Sequence, residues 1–458
     1  EKDALGGIEL PEEALYGAQT FRALQNFTVI PERVPEILIN ALALVKKACA
    51  LANGECQVLT ADKAALIVNA CDEIHAGHHR RWFVTSAIQG GAGTSINMNM
   101  NEVIANRCAQ FLHEPLGTYQ TIHPNDDVNR SQSTNDVIPT AAKIAVYTST
   151  QAAIQAMKLL RDSFNLKAQE NKEVLKVGRT HLQDAVLISM GQVLHSYATV
   201  LNRDINRIES ALHEMEVINL GATAVGTEIN TVIGYKECAI AHLSKLSRIP
   251  LKSSSDLIDQ TKNVDSFVFI HSLLKNFAIN LSRICSDLRL MASGPKAGFN
   301  EIILPGVQAG SSIMPGKVNP VIPEVCNQAC FQVIGNDTTV TLAAEAGQME
   351  LNVFEPVLFY NILQSISILE NACLTLKTKA IDGLVVNRQQ CTRLVENSMA
   401  MSTALTATLG YSKTSELTKK ALRENKSLKE VIIAEHLLTE QELAEILIPG
   451  KMIRSFEI

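Results

Sequence analysis

Eight apolar side chains, Phe267, Ile270, Leu274, Phe277, Leu281, Ile284, Leu288 and Met291, follow one another at alternating steps of three and four. That rhythm is the seam of an amphipathic helix about seven turns long. Val193, Tyr197, Leu201, Ile205, Ile208, Leu212 and Met215 make a second stripe. Residues 139–170 read as a third helix, with Asp136 as its cap and Pro139 in its first turn. Residues 322–345 and 352–378 read as two more. Helices of this length with three-four seams pack nearly parallel, so a bundle is expected and the fold class is all-α. Strand signals are sparse. Lys176-Val177 and Thr231-Val232-Ile233 read as short ribbons, and no βαβ rhythm appears.

The length, 458 residues, allows two or three domains. From about residue 387 the helical segments become shorter and more charged, which reads as a small C-terminal domain. A net charge of −6 argues against nucleic acid or an anionic membrane as the main partner. The charge-free stretch from Ala185 to Asn202 is broken by Ser, Gly, Gln, His and Thr and is a poor membrane span. No secretory signal opens the chain, whose first residue is Glu, and a cytoplasmic location is expected. Ten cysteines without a C-x-x-C pair read as reduced, mostly buried thiols, with Cys326 and Cys330 one helical turn apart. His75, His78 and His79 lack a completing ligand and read as a solvated helix end, so no metal is expected. Gly90, Gly91 and Gly93 follow no strand and are not a nucleotide loop.

Function is concentrated in one run, Gly310-Ser311-Ser312-Ile313-Met314-Pro315-Gly316-Lys317-Val318-Asn319-Pro320. Pro315 and Pro320 remove backbone donors and restrict the residues before them, which makes this a shaped loop. Paired hydroxyls, a fixed cation and an amide suit a small dianion. A serine pair alone would be turn chemistry, and a lone lysine a solvated charge. The apolar and glycine neighbours of Lys317 favour a buried lysine paired with an anion.

This run closely resembles the signature loop of the aspartase/fumarase superfamily of lyases. Three further segments resemble the family's other active-site motifs, in the family's order: Gly90 to Asn99, Ser131 to Asp136, and Gly178 to Ala185. The opening Tyr16-Gly17-Ala18-Gln19-Thr20 is also similar, so the likeness spans nearly the whole chain. It implies three mostly helical domains, here residues 1–134, 135–386 and 387–458. It also implies a homotetramer whose central helices form one core, with active sites assembled from three subunits. The substrate would be a small dicarboxylate and no cofactor would be needed.

The implied reaction is an anti-elimination from a succinyl compound. A base takes a proton from the carbon beside a carboxylate, and the carbanion survives only if that carboxylate spreads a second charge over its oxygens. The resemblance assigns Ser311 as base, activated by Lys317 and loop N–H groups. It assigns Thr94, Ser133, Thr134 and Ser312 as donors to the charged carboxylate. Ser133 and Thr134 also precede a helix start, which favours an anion. Lys317, Asn319 and Thr180 would hold the second carboxylate. Asn135 and His181 would face the leaving group, with Glu324 orienting His181. Asn97, Asn99 and Asn101 are expected to satisfy backbone around the site.

Two branches of the family fit: the ammonia-lyases that convert L-aspartate to fumarate, and the class II fumarases. Thr134, the pair Gln308-Ala309, and the segments Val321 to Gln328 and Val333 to Asp337 resemble the ammonia-lyase branch. Three positions depart from the family pattern: Glu228 in place of a glycine, Thr406-Ala407 in place of Asn-Pro, and Lys296 in place of an arginine. A remote third reading is a non-catalytic helical oligomer that kept the scaffold.

Overall fold

The computed structural model describes residues 1–3, 5–446 and 448. A two-residue ribbon, β1 (Lys2–Asp3) on β2 (Gly6–Gly7), opens the chain. Helices α1 (Ala18–Asn26), α2 (Glu36–Glu55), α3 (Ala61–His75) and α4 (Thr94–Phe111) follow, then the 37-residue α5 (Thr134–Glu170). A hairpin, β3 (Leu175–Thr180) with β4 (Gln183–Ser189), leads into α6 (Met190–Ala211). Next come β5 (Val217–Ile218), α7 (Tyr235–Ser247), β6 (Lys252–Ser253), α8 (Leu257–Lys262) and α9 (Asp265–Met291). After β7 (Ile302–Ile303) run α10 (Val321–Glu345) and α11 (Glu355–Leu376), then β8 (Val385–Val386). Short helices close the chain: α12 (Arg388–Asn397), α13 (Met401–Leu409), α14 (Tyr411–Glu424), α15 (Leu428–Ala434) and α16 (Glu440–Ile446).

The heptad stripe of α9 behaves as its spacing requires. All eight stripe residues are buried, six of them completely. In α6, Tyr197, Leu201 and Ile205 are buried, while Val193 at the entry is only half-buried. The protein is all-α in class, and its strands are short ribbons and one hairpin.

The chain divides into two compact units. The first comprises residues 1–154, 207–276 and 332–368. Its core draws on Leu42 and Val45 of α2, Ile67 of α3, and Met100 and Ile104 of α4. The second comprises residues 155–206, 277–331 and 369–458. In it Phe164 and Tyr197 meet edge to face at 5.8 Å, and the Tyr197 hydroxyl donates to Asp287. A cluster of Met401, Leu405, Leu417, Leu428, Val431, Ile432 and Leu443 packs on Val177 and Leu187, one from each strand of the hairpin. The C-terminal helices therefore brace the hairpin. Thr406-Ala407 lies inside α13, which runs unbroken to Gly410.

Two local expectations are corrected. Thr231-Val232-Ile233 is no ribbon but part of the turn that enters α7 at Gly234. Its side chains have no partner strand, and Ile233 is fully exposed. The third helix starts at Thr134, five residues before the expected 139. Ser133 caps it: its Oγ accepts from the Asn135 N–H at 3.2 Å, and its own N–H donates to Asp136 at 3.0 Å. Pro139 thus lies inside the helix and leaves the Asn135 carbonyl without its i+4 donor. The buried Asn219 amide supplies that donor instead, at 3.0 Å.

Among the described residues two helices, Glu36–Glu55 and Glu355–Ile381, are long and apolar enough to cross a bilayer. In each, most of the apolar stretch is buried inside the protein, as in core helices.

Candidate active site

The first unit holds Thr94, Ser133, Thr134 and Asn135. Thr94 is the first residue of α4, a helix start that the glycine-rich sequence around it concealed. Gly93 turns into the helix at φ 84°, and the Thr94 hydroxyl donates to the Gly91 carbonyl at 2.7 Å. Thr94 is exposed, so the free N–H end of α4 opens to solvent.

Asn97 joins this segment to the next. Its amide donates to Thr134 Oγ1 and to Asn129 Oδ1, both at 3.1 Å. Asn101, one turn on, reaches the same Asn129 oxygen at 3.3 Å. Asn99 faces elsewhere and satisfies backbone, accepting from Val84 N–H and donating to the Trp82 carbonyl. Only Asn99 therefore does what was expected of the three. Alternation places residues together on a strand but not on a helix, and all three lie in α4.

Beneath this surface are two buried ionisable groups, Lys46, which sequence reasoning did not single out, and Asp136, whose burial it did not foresee. Lys46, completely buried on α2, donates to Asn129 Oδ1 at 2.9 Å and Gln132 Oε1 at 2.8 Å. Burial holds its ammonium down to about 8. Asp136 was read as a cap, but it points inward and accepts from the N–H groups of Ser133, Gly221 and Thr223. Burial pushes its carboxyl up to about 7, against those three donors and Lys46. The available signal was faint: Lys46-Lys47 is a charged pair inside the otherwise apolar run of α2.

Asp136 also pins the 221–234 segment to the start of α5, and Asn135 Nδ2 donates to the Ala224 carbonyl at 2.7 Å. Glu228 in that segment stands at φ 57°, the left-handed region in which a glutamate costs roughly 1–3 kcal/mol. Its N–H donates to the Ala222 carbonyl, and its carboxylate meets Lys236 Nζ at 2.5 Å. The negative charge that replaces the family's glycine is thus paired.

The second unit holds Thr180, His181, Ser311, Ser312, Lys317, Asn319 and Glu324. The β3–β4 hairpin closes with Thr180 opposite Gln183, leaving His181 and Leu182 as its two-residue tip. Both stand at positive φ, 54° and 62°, the turn geometry that the twist of a two-residue hairpin demands. Both side chains are exposed. Arg179 anchors the hairpin, pairing with the fully buried Glu301 at 2.8 Å and stacking on the Phe299 ring at 4.2 Å.

The 310–320 loop is pinched at its neck. Gly310 N–H donates to the Lys317 carbonyl at 2.9 Å, and Asn319 Nδ2 donates to the Gly310 carbonyl at 2.8 Å. A Cβ at Gly310 would collide with the Lys317 carbonyl, so only glycine fits that neck. At the tip the Ser311 Oγ accepts two backbone N–H groups, from Ile313 at 3.2 Å and Met314 at 3.0 Å. Donors aimed at an oxygen favour its deprotonated form.

Lys317 is exposed, contrary to the expectation of a buried lysine. Apolar neighbours in sequence bury a cation only where they pack. Here Ile313, Met314 and Val318 are themselves exposed, at 83, 47 and 57%. Glu324 lies in the first turn of α10, where a carboxylate complements the helix N-terminus. No hydrogen bond joins it to His181 among the described residues.

The first unit presents two helix starts rich in hydroxyls, and the second presents a histidine at a hairpin tip and a serine held under backbone donors. Residues 6–335 match the family described as lyase, and residues 401–454 match the one described as fumarase C C-terminus. The chain belongs to the aspartase/fumarase superfamily of lyases. This lyase is 48% identical over 452 residues to a Bacillus aspartate ammonia-lyase, covering 99% of its own length and 97% of that relative. It is 44% identical to the aspartate ammonia-lyase of Escherichia coli K12, covering 97 and 94% of the two chains. Among solved structures, a fumarate lyase:delta crystallin from Brucella melitensis bound to cobalt superposes with a TM-score of 0.95 at 46% identity, covering 99 and 98% of the two chains. A class II fumarase from Schistosoma mansoni superposes at 0.93 with 33% identity, covering 98% of each chain.

Proposed function

We propose that this lyase is an aspartate ammonia-lyase, which eliminates ammonia from L-aspartate to give fumarate, reversibly. The observation that carries the chemistry is Ser311, whose oxygen already faces two loop N–H donors. A serine alcohol in water is too weak a base for a proton beside a carboxylate, and these donors with the Lys317 charge bring it toward the alkoxide. Ser311 takes the proton from the methylene carbon. The electron pair moves into the adjacent carboxylate, which becomes a doubly charged enediolate. That pair then forms the new double bond while the C–N bond breaks and neutral ammonia departs from the substrate's ammonium. The leaving group is already protonated, so no strong general acid is needed.

The N-terminal ends of α4 and α5 supply the setting for the enediolate. Thr94, Ser133, Thr134 and Ser312 give hydroxyls, and the free N–H groups of both helices add positive potential. Lys317, Asn319 and Thr180 hold the other carboxylate. Asn135 and His181 face the amine, with Glu324 orienting His181. The exposed Ile313, Met314 and Val318 give the 310–320 loop an apolar rim that would cover the pocket and exclude water once substrate is bound.

The assembly that goes with this reading is a cytoplasmic homotetramer with sites shared between three subunits. Support comes from exposed apolar residues on the long helices, among them Phe269 and Ile279 on α9 and Phe331 and Leu342 on α10. A division into residues 1–134, 135–386 and 387–458 accompanies it as the proposed domain organisation.

The alternative is class II fumarase, favoured by the fumarase C C-terminal match. Ultraviolet absorbance of fumarate decides between them. Fumarate is expected on addition of L-aspartate. Activity on L-malate alone would overturn the ammonia-lyase reading, and activity on neither would leave the non-catalytic scaffold.

A further inference from the structure

The C-terminal end of α2 and one face of α7 bring together three side chains that the elimination chemistry does not use: Glu55, Cys238 and His242. Glu55 is the last residue of α2 and Cys56 its C-cap. Cys238 and His242 stand four apart on α7, one turn above each other, on a helix packed against α2. Glu55 receives both: the Cys238 Sγ lies 3.0 Å from one carboxylate oxygen and the His242 Nε2 2.8 Å from the other. One ligand atom from each of these three residues lies within 4.8 Å of the others.

We propose that these three side chains hold one zinc-class divalent ion, with water completing a tetrahedral shell. A thiolate, an imidazole and a carboxylate suit a borderline ion such as Zn²⁺ or Co²⁺ and not the hard ions Mg²⁺ or Ca²⁺. At zinc bond lengths of roughly 2.0–2.3 Å, tetrahedral ligands sit about 3.3–3.8 Å apart. The three ligand atoms already lie within 4.8 Å of one another, with the sulfur and the imidazole on separate Glu55 oxygens at 3.0 and 2.8 Å, so side-chain shifts suffice to reach that spacing. The cradle is stiff where it must be. Gln57 turns out of α2 at φ 59°. Asn53 fixes the same turn, accepting at its carbonyl from the Val58 and Leu59 N–H groups and bonding through its side chain to Arg130 and Ser131. A bound dication takes the Cys238 sulfur as its thiolate and releases the proton. The ion would tie α2 to α7 and takes no part in the elimination.

The test uses the full-length protein, stripped with a chelator and kept reduced with a phosphine. Titration with Co²⁺ is expected to raise a thiolate-to-cobalt charge-transfer band that saturates at one ion per chain and is lost on adding Zn²⁺. Cys238→Ser should abolish the band. His242→Ala should weaken zinc, measured against a chromophoric chelator, by more than the roughly ten- to hundredfold that loss of an outer-shell partner costs. Absence of the band in the unmodified protein overturns the site, and that measurement needs no variant to fold. A band that survives unchanged in Cys238→Ser overturns it as well, by placing the thiolates elsewhere.

Discussion

With Ser311 as the proposed base, the elimination needs little covalent machinery. The side chain is an ordinary alcohol, and its strength must come from what points at it. Two N–H groups at 3.0 and 3.2 Å already do so, and the Lys317 cation is carried on the same loop. Ser311→Ala is therefore expected to lower kcat by at least about a hundredfold while KM for L-aspartate changes little, because the lost role exists only in the transition state. Steady-state kinetics would show it, and a variant with near-normal kcat would mean that another group is the base. Asp136 and Lys46 work differently. They are buried, meet backbone and amides, and reach the surface only through the segments they hold. Their role is to fix where Ser133, Thr134 and Asn135 stand.

At the scale of elements, the start of α5 carries the most consequential arrangement. A proline six residues into a helix would normally cost a hydrogen bond, yet the Asn135 carbonyl it orphans is served by Asn219. Asn219→Ala should cost about 1–3 kcal/mol, the penalty of a buried unpaired carbonyl. Adding Pro139→Ala should recover part of that loss, because residue 139 then supplies an N–H of its own. Denaturant unfolding of the four proteins in the cycle measures the coupling, and purely additive effects would refute the compensation. The β3–β4 hairpin makes the complementary point. Its tip holds His181 and Leu182 at positive φ, a strain of order 1–3 kcal/mol each that persists because Arg179, Glu301 and the C-terminal helices fix the strands below it.

At the scale of the whole molecule, the candidate residues fall into two sets: Asn135 and its neighbours in the first unit, Ser311 and its neighbours in the second. If sites are shared between subunits, chains carrying Asn135→Ala and Ser311→Ala should complement. Co-assembly would give some sites with both residues intact, and activity above that of either parent is expected. Activity equal to the mean of the parents would show that each site draws both residues from one chain.

The sequence alone determined what local chemistry can encode. The α9 stripe predicts a helix and a buried face, because a three-four rhythm has one geometric solution, and that face is buried. The hydroxyls, cation and amide of the 310–320 loop likewise lead to the expectation of a small dianion before any fold is known, and the proposed function rests on it. Tertiary structure decided everything that depends on a distant partner. Lys317 is exposed where its neighbours suggested burial, and Lys46, which sequence reasoning did not single out, is buried, because burial is set by what packs from elsewhere in the chain. The inward turn of Asp136 required Gly221 and Thr223, more than eighty residues away. The second strand of the hairpin and the left-handed backbone of Glu228 are equally matters of contact, and a spacing of residue types carries no record of them.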